Sequence, residues 1–397
     1  MPAVPPGRTV TDAGSRHAAA GADPLPTATN ADPRHSATDA HTIDASLRRD
    51  TPPRGNAWSR RDTPPRTGAP LRIGVLGAAS IARRRMLPAF AAAAGTRITA
   101  IATREPGRAD DLAAAHDCAA VTGYEALLAR GDVDAVYIPV PSALHAHWTH
   151  EALSAGKHVL VEKPLTGDPA EAKRLTGLAA SRSLVLMENV MFVHHGAHEE
   201  VRELVRAGTI GELRHFQASF TIPALPADDI RHQPELGGGA LDDVGVYPLR
   251  AAGHFLGTGL EVAGATLVTE DRYGVDMGGA VLLRSPGPAP VTAHLVFGMH
   301  HAYDSSYELW GTRGSIRVER AFTPPADHVP VVRVRTEREQ LLRLAPQDQV
   351  AATVRAFAAA ATGGGDTGDG AAREGAVWAV ELARLLADVR ERAGASG

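Results

Sequence analysis

The sequence predicts an α/β domain on a parallel sheet, followed by an α+β domain with a largely antiparallel, open sheet. Three observations predict it. Short apolar runs alternate with helix-patterned segments from Leu71 to Val190, as βαβ units require. From Arg214 onward, strand-like runs follow one another; apart from the long connection after Ile222, their turns are short and no helix is evident. Two apolar-periodic helices, about Pro346–Ala361 and Ala371–Ala393, then close the chain. The first domain is expected to span 71–190 and the second 191–397.

Taken in order, Met1–Pro70 holds few large apolar residues and much Pro, Thr, Asp, Arg and Ala. It cannot offset its ordering entropy and is expected to be a disordered extension. It also repeats itself, with RRDTPPR at Arg48–Arg54 and again at Arg60–Arg66. Order is expected from LRIGVLG (Leu71–Gly77), a run apolar enough for a strand buried on both faces. A helix to about Ala94, a strand at Arg97–Thr103 and a helix from about Pro106 to His116 follow. Then come a short strand near Val121, a helix from Tyr124, a strand at Asp134–Val140 and a helix at Ala143–Ala155. HVLVEK (His158–Lys163), a helix at Pro169–Ser181 and a strand at Ser183–Val190 complete the unit.

A helix from about Glu199 to Ala207 leads into strand-like Arg214–Ile222, Glu261–Thr269, AVLLRS, APVTAHLVF, SSYELWG, GSIRVER and VPVVRVRT. Leu309–Ser315 reads as a hairpin turn. The Gly/Asp-rich stretch Gly363–Gly370 reads as a flexible loop.

With 397 residues the chain is long enough for two domains, and its net charge of −4 includes no dominant basic block in the folded part. That argues against a nucleic-acid or membrane-surface partner. Cys118 is the only cysteine, so no intrachain disulfide can form, which suits a reducing compartment. No run reaches the ~18–20 consecutive apolar residues of a membrane helix, and the N-terminus lacks the apolar core of a secretory signal. A soluble cytoplasmic protein is expected. Cys118 itself reads as a small buried residue rather than a nucleophile. His194, His195 and His198 have helix-compatible spacing but no accompanying ligand set, so no metal site is expected.

The first strand runs into Gly77-Ala78-Ala79-Ser80-Ile81-Ala82, a G-x-A-x-x-A variant of the dinucleotide fingerprint. Small residues there let backbone N–H groups at a helix N-terminus approach a pyrophosphate. Alanine is a common variant at the third position, but Ala79 at the second adds a methyl group where the backbone should touch phosphate. The setting, a first strand within a complete βαβ unit, favours a Rossmann nucleotide site. The second strand ends at Thr103-Arg104, where NAD-binding chains usually carry an acid for the ribose 2′-hydroxyl. Arg104, with Arg108 one turn later, favours a 2′-phosphate and hence NADP(H).

LVEKPL (Leu160–Leu165) closes the fifth strand-like run. A lysine between an acid and a proline, just past a buried strand, is poorly placed for stability alone, and Pro164 cannot donate to a sheet. Ligands of open parallel sheets bind beyond the carboxyl ends of their strands, which is where Lys163 falls. Only Lys157, Lys163 and Lys173 are lysines in the whole chain.

These motifs together resemble the glucose–fructose oxidoreductase / inositol dehydrogenase (Gfo/Idh/MocA) family. The residues that carry the resemblance are Gly74–Ala82, the Pro139–His145 turn, Glu162-Lys163-Pro164 and Asp242-Asp243-Val244-Gly245-Val246-Tyr247. It extends from Leu71 to about Ala393. Within the family, IARRRMLPAF, MENVMFVHH and LGGGALDDVGVYPLRAA are most similar to bacterial nucleotide-sugar 3-ketoreductases of deoxysugar biosynthesis. Those enzymes reduce the C3 ketone of a dTDP-3,4-diketo-2,6-dideoxyhexose with NADPH.

The resemblance implies roles residue by residue. Lys163 would be the catalytic lysine and Tyr247 its partner. Thr103 and Arg104 would hold the 2′-phosphate, and Tyr124, Pro141, Leu144, His145 and Glu162 would line the cofactor. Arg231 and Asp243 would lie near it, while Arg83 and His301 would face the substrate. Two departures stand out. Val193 replaces an arginine found in many relatives, and Tyr247 replaces a common histidine. The second fits the ketoreductase branch. The open sheet of such proteins often forms an oligomer face, so a homodimer or homotetramer is expected.

Hydride delivery to a ketone builds negative charge on oxygen, which must be stabilised and protonated. Lys163 could do both, with burial expected to lower its pKa, and a nearby ammonium is expected to lower that of Tyr247. Which of the two gives the proton is not legible in the residues. Two competing readings keep the fold: an aldose, inositol or dihydrodiol dehydrogenase working oxidatively, and a non-catalytic NADP-binding regulator. A regulator has no need of Lys163 and Tyr247.

Overall fold

The computed structural model describes residues 69–363 and 366–395, with backbone only for 366–372. The disorder expected of Met1–Pro70, and its RRDTPPR repeat, fall almost wholly outside the described residues.

The first sheet has six parallel strands: β1 (Leu71–Leu76), β2 (Thr96–Thr103), β3 (Ala119–Thr122), β4 (Ala135–Ile138), β5 (His158–Glu162) and β6 (Leu186–Asn189). Their order is β3-β2-β1-β4-β5-β6. The order reverses direction between β1 and β4, the switch point where doubly wound sheets open a ligand crevice at their carboxyl edge. The near-continuous apolar strands are explained by burial on both faces, Ile73, Val75, Val136, Tyr137 and Leu160 all being inaccessible to solvent.

Helices α1 (Leu87–Ala92), α2 (Asp110–Ala115), α3 (Tyr124–Leu128), α4 (His145–Ser154) and α5 (Pro169–Ser181) connect the strands. In α5 the Asp168 side chain caps the Ala170 N–H and Pro169 supplies the first turn, so both ends match the sequence reading.

The second sheet follows α6 (Gly196–Arg206). It holds β7 (Leu213–Thr221), β8 (Glu261–Glu270), β9 (Val275–Arg284), β10 (Thr292–Gly298), β11 (Asp304–Gly311), β12 (Ser315–Glu319), β13 (Val331–Arg335) and β14 (Glu339–Arg343). Its order is β14-β13-β12-β11-β7-β10-β9-β8. All its pairs are antiparallel except β7 with β10, which the long connection after β7 makes possible. The expected hairpin at Leu309–Ser315 joins β11 to β12.

The long connection after Ile222, to which the sequence reading assigns no element, carries α7 (Val246–Leu256), apolar almost all round and buried between sheet and C-terminal helix. Its Gly and Pro content hid the period, and Pro248 falls just after the widened turn Leu241–Gly245 that runs directly into α7. Gly363–Gly370 was read as a loop, but α9 (Asp366–Gly394) already begins inside it.

The preceding helix α8 (Gln349–Ala361) returns to the first sheet, where Val350, Val354 and Phe357 join Ile73, Leu87 and Phe90 in one core. Helix α9 touches two cores, placing Ala379 and Ala383 against the first sheet and Leu382, Leu386 and Val389 against the second. The C-terminal helices therefore fasten the two sheets together.

Candidate active site

Four segments meet at the carboxyl edge of the parallel sheet. The first is the turn after β1. Gly77 takes φ +114°, which L side chains rarely adopt, and its N–H donates to the Ala102 carbonyl at 2.8 Å. A Cβ there would sit 3.5 Å from the Tyr124 hydroxyl and 3.8 Å from Val140, so Tyr124 and the chain after β4 wall the turn. Ala78 and Ala79 lead to Ser80 and Ile81, where helix begins, and the widened turn Ala82–Met86 precedes α1. Arg83 is exposed, and its Nε donates to the Ala78 carbonyl at 2.9 Å, beside the nucleotide turn.

The second segment is the end of β2. Thr103 is buried and its hydroxyl donates to the Glu105 carbonyl at 2.9 Å. Arg104 is exposed, and Arg108 pairs with Glu105 at 3.3 Å. Burial raises the Tyr124 phenol, while the positive charges of Arg104 and Arg108 pull it back. Tyr124, Gly77, Arg104 and Arg108 therefore share one corner.

The third segment is the turn after β4. Pro141 and Leu144 are half-buried, and His145 is enclosed with one ring nitrogen 2.7 Å from the Pro164 carbonyl and the other 2.8 Å from the Val140 carbonyl. Burial pushes its imidazole down to about 4, against the pull of those two carbonyls. His145 thus straps this turn to the one carrying Lys163. Ser142, which has no catalytic context in the sequence, donates to the Gly237 carbonyl at 2.8 Å and ties the turn to the connection after β7.

The fourth segment is Glu162-Lys163-Pro164-Leu165, with a cis peptide between Lys163 and Pro164. Glu162 faces Tyr137 and Asn189, each of which donates to its carboxylate at 2.6 Å. Burial raises its carboxyl, and the two donors pull it back. Glu188 at the end of β6 accepts the Leu165 N–H at 2.6 Å.

Lys163 extends to the Asp243 carbonyl at 2.5 Å and its carboxylate at 2.9 Å, with Nζ 5.4 Å from the centre of the Tyr247 ring. Asp243 also accepts Arg231 Nε at 2.7 Å, and Arg231 pairs with Asp229 at 3.1 Å. Asp243 sits in a second widened turn, Leu241–Gly245, just before α7. Such turns recur at functional sites because they re-aim side chains within a helix. The turn is pinned by the Asp276 carboxylate, which accepts Leu241 N–H at 2.7 Å, and by Arg390 of α9, which pairs with Asp242 at 2.5 Å.

The charge balance corrects two expectations. Burial alone would lower the Lys163 ammonium, but the Asp243 charge, with Tyr247 and the hydrogen bond to Asp243, outweighs it and holds it above its ordinary value. Burial likewise raises the Tyr247 phenol, and the ammonium takes back only part of that rise. The Asp243 carboxyl is held well below its ordinary range: burial opposes this, but the charges of Lys163 and Arg231 win. Tyr247 packs against Phe220, with ring centres 4.9 Å apart, and against Phe192 and Phe322.

His301 lies in the turn between β10 and β11, its Nδ1 2.8 Å from the Met299 carbonyl and its ring against Gly298. Among the described residues, no group of three or more His, Cys, Asp or Glu side chains could hold a metal ion. Sequence reasoning missed Glu188, Tyr137, Asn189, Asp276 and Arg390. Glu188 and Asn189 lay inside MENV, where a strand ending in two polar residues was the available signal.

A glycine turn at the switch point, with a half-buried lysine, aspartate and tyrosine beside it, defines a dinucleotide-dependent oxidoreductase. The chain belongs to the Gfo/Idh/MocA oxidoreductase family. Residues 71–190 match its NAD-binding Rossmann-fold model and residues 198–317 match its C-terminal domain model.

A dTDP-3,4-didehydro-2,6-dideoxy-α-D-glucose 3-reductase of Streptomyces violaceoruber is 55% identical over 291 residues, 73% of this chain and 85% of the relative. An enzyme of the same description from Saccharopolyspora spinosa is 53% identical over 292 residues, 73% of this chain and 87% of the relative. The crystal structure of KijD10, a 3-ketoreductase from Actinomadura kijaniata, in complex with NADP and TDP-benzene, superposes with a TM-score of 0.77 at 48% identity. It covers 81% of this chain and 98% of that one. Solved variants of that enzyme replace one lysine and one tyrosine.

Proposed function

We propose that this chain is an NADPH-dependent sugar-nucleotide 3-ketoreductase, reducing the C3 ketone of a dTDP-3,4-diketo-2,6-dideoxyhexose. The observation that carries the reading is the geometry of the central pair: Lys163 Nζ is held 2.9 Å from the Asp243 carboxylate and 5.4 Å from the centre of the Tyr247 ring. A site with two protonated donors suits a carbonyl that gains charge as it is reduced.

The residues fit the cofactor. The Gly77–Ala82 turn, with the left-handed φ of Gly77, would hold the pyrophosphate. Thr103, Arg104 and Arg108 would take the 2′-phosphate, and Tyr124, Pro141, Leu144, His145 and Glu162 would shape the walls. NADPH supplies the hydride when bound. Lys163 and Tyr247 hydrogen-bond the substrate oxygen and give a proton to it, while Asp243 keeps Lys163 charged and Arg231 holds Asp243 in place. Arg83 and His301 face the sugar nucleotide. The lysine and tyrosine replaced in the KijD10 variants lie the same number of residues apart as Lys163 and Tyr247.

The nucleotide-binding unit spans 71–190, with α8 packed into its core, and the rest of 191–397 forms the substrate and oligomerisation unit. Val268, Leu282, Trp310 and Leu341 stand exposed on the open face of the second sheet, on one side of the strand register, and this face joins copies into a dimer or tetramer. Among the described residues no helix is long and apolar enough to cross a membrane. The enzyme works in the cytoplasm, in deoxysugar formation for antibiotic biosynthesis.

The test is NADPH consumption with a dTDP-3,4-diketo-2,6-dideoxyhexose, run beside NADH and beside free aldoses and inositol. Turnover with the dTDP sugar and NADPH supports the reading. Turnover with free sugars alone would replace it with an aldose or inositol dehydrogenase.

A further inference from the structure

The lysine turn is held from beneath by a carboxylate that the donor chemistry does not use. Glu188, the last residue but one of β6, lies opposite Val161 of β5, and its Oε1 accepts the Leu165 N–H at 2.6 Å. That distance suits an ionised acceptor better than a neutral one. On the other side of the same turn His145 meets the Pro164 carbonyl. We propose that Glu188 is a positioning residue for Lys163: its carboxylate grips the Leu165 amide and fixes the turn from which Lys163 reaches Asp243.

The groups facing Glu188 come from three elements. Glu162 ends β5, Lys163 follows it, and Arg250 projects from α7; Arg250 in turn feels Glu374 of α9 and Arg202 of α6, and acts on His194 and His254. Burial pushes the Glu188 carboxyl up, and the Leu165 N–H, Arg250 and Lys163 pull it back against Glu162, leaving it at about 7. The grip is therefore charged above neutrality and weakens below it. Neither Lys163 nor Tyr247, both raised, titrates in that range.

The inference rests on the ketoreductase reading for its kinetic arm, so a second arm is independent of turnover. With only three lysines in the chain, ¹³Cε-lysine labelling gives few side-chain signals, and that of Lys163 is assigned by its loss in Lys163→Arg. In the wild-type protein this signal should shift with a midpoint near pH 7, and in Glu188→Gln that step should vanish. For kinetics, wild-type kcat should fall on the acid side of pH 7. Glu188→Gln, which keeps an acceptor for Leu165, should lose that limb.

Glu188→Ala should lower kcat roughly 10- to 100-fold, as expected for a misplaced catalytic group, with NADPH affinity changed less than about threefold. A step near pH 7 that survives in Glu188→Gln, a Lys163 signal indifferent to pH there, or full kcat in Glu188→Ala would overturn the proposal. Absence of wild-type turnover would count against the ketoreductase reading alone, since the lysine signal still decides the grip.

Discussion

Lys163 and Asp243 stand 80 residues apart in the chain, yet their charged groups meet at 2.9 Å with side chains only 12% and 22% exposed. The lysine follows directly on β5 of the parallel sheet, and the aspartate sits in the widened turn before α7. This contact therefore joins the two halves at the place where chemistry is proposed. Its electrostatic result is an ammonium that stays charged despite burial, because Asp243, itself pinned by Arg231, faces it.

Asp243→Asn should move the alkaline limb of the kcat profile to lower pH. The mutation removes the charge that holds the Lys163 ammonium up and leaves burial and Arg231 acting against it. Asp243→Ala should in addition destabilise the protein by roughly 3–5 kcal/mol, the usual cost of leaving one side of a buried pair uncompensated. Steady-state pH profiles and urea unfolding check both.

Tyr247→Phe removes one of two donors to the substrate oxygen while leaving a ring of nearly the same shape among Phe192, Phe220 and Phe322. The expected loss is about 10²–10³ in kcat, the range for deleting one oxyanion donor. NADPH affinity, read by fluorescence titration, should stay within about twofold.

Arg104→Ala should lower kcat/KM for NADPH roughly 10- to 100-fold while changing that for NADH little. The lost contact is a charge-assisted one to the 2′-phosphate. A matched loss for both cofactors would remove Arg104 from that role.

The fold should also lose stability in mild acid. Burial holds His198 down to about 3 and His254 down to about 2, far below the unfolded value of about 6.5. A folded-state value below the unfolded one gives stability that is present in full above pH 6.5 and lost as pH falls. Each such histidine contributes up to about 1.4 kcal/mol per pH unit below that point. Unfolding free energies at pH 7 and pH 5 measure the slope, and His198→Gln should flatten it.

The parallel sheet was legible because its strands are short apolar runs set off by helix-patterned sequence, a pattern that burial on both faces imposes on all but the edge strand β3. Gly77, Arg104 and Lys163 were legible for the same local reason: their residue types are unusual at strand ends. Helix α7 was not, because Pro248 and Gly253 interrupt its period. Gly253 in fact permits close packing, since a Cβ there would lie 2.2 Å from the Trp378 ring. The raised value of Lys163 could not be read either, since it depends on Asp243 being brought across from another element, and that of Tyr247 depends first on its burial. Glu188 and Arg390 act through contacts 23 and 148 residues away, which no local pattern reports.

The most direct test of the central claim is single-turnover reduction by Lys163→Ala with NADPH and the dTDP-diketo sugar, alongside NADPH binding. The account predicts a folded protein that binds NADPH within about threefold of wild type and shows no measurable hydride transfer. Transfer at near wild-type rate would contradict it.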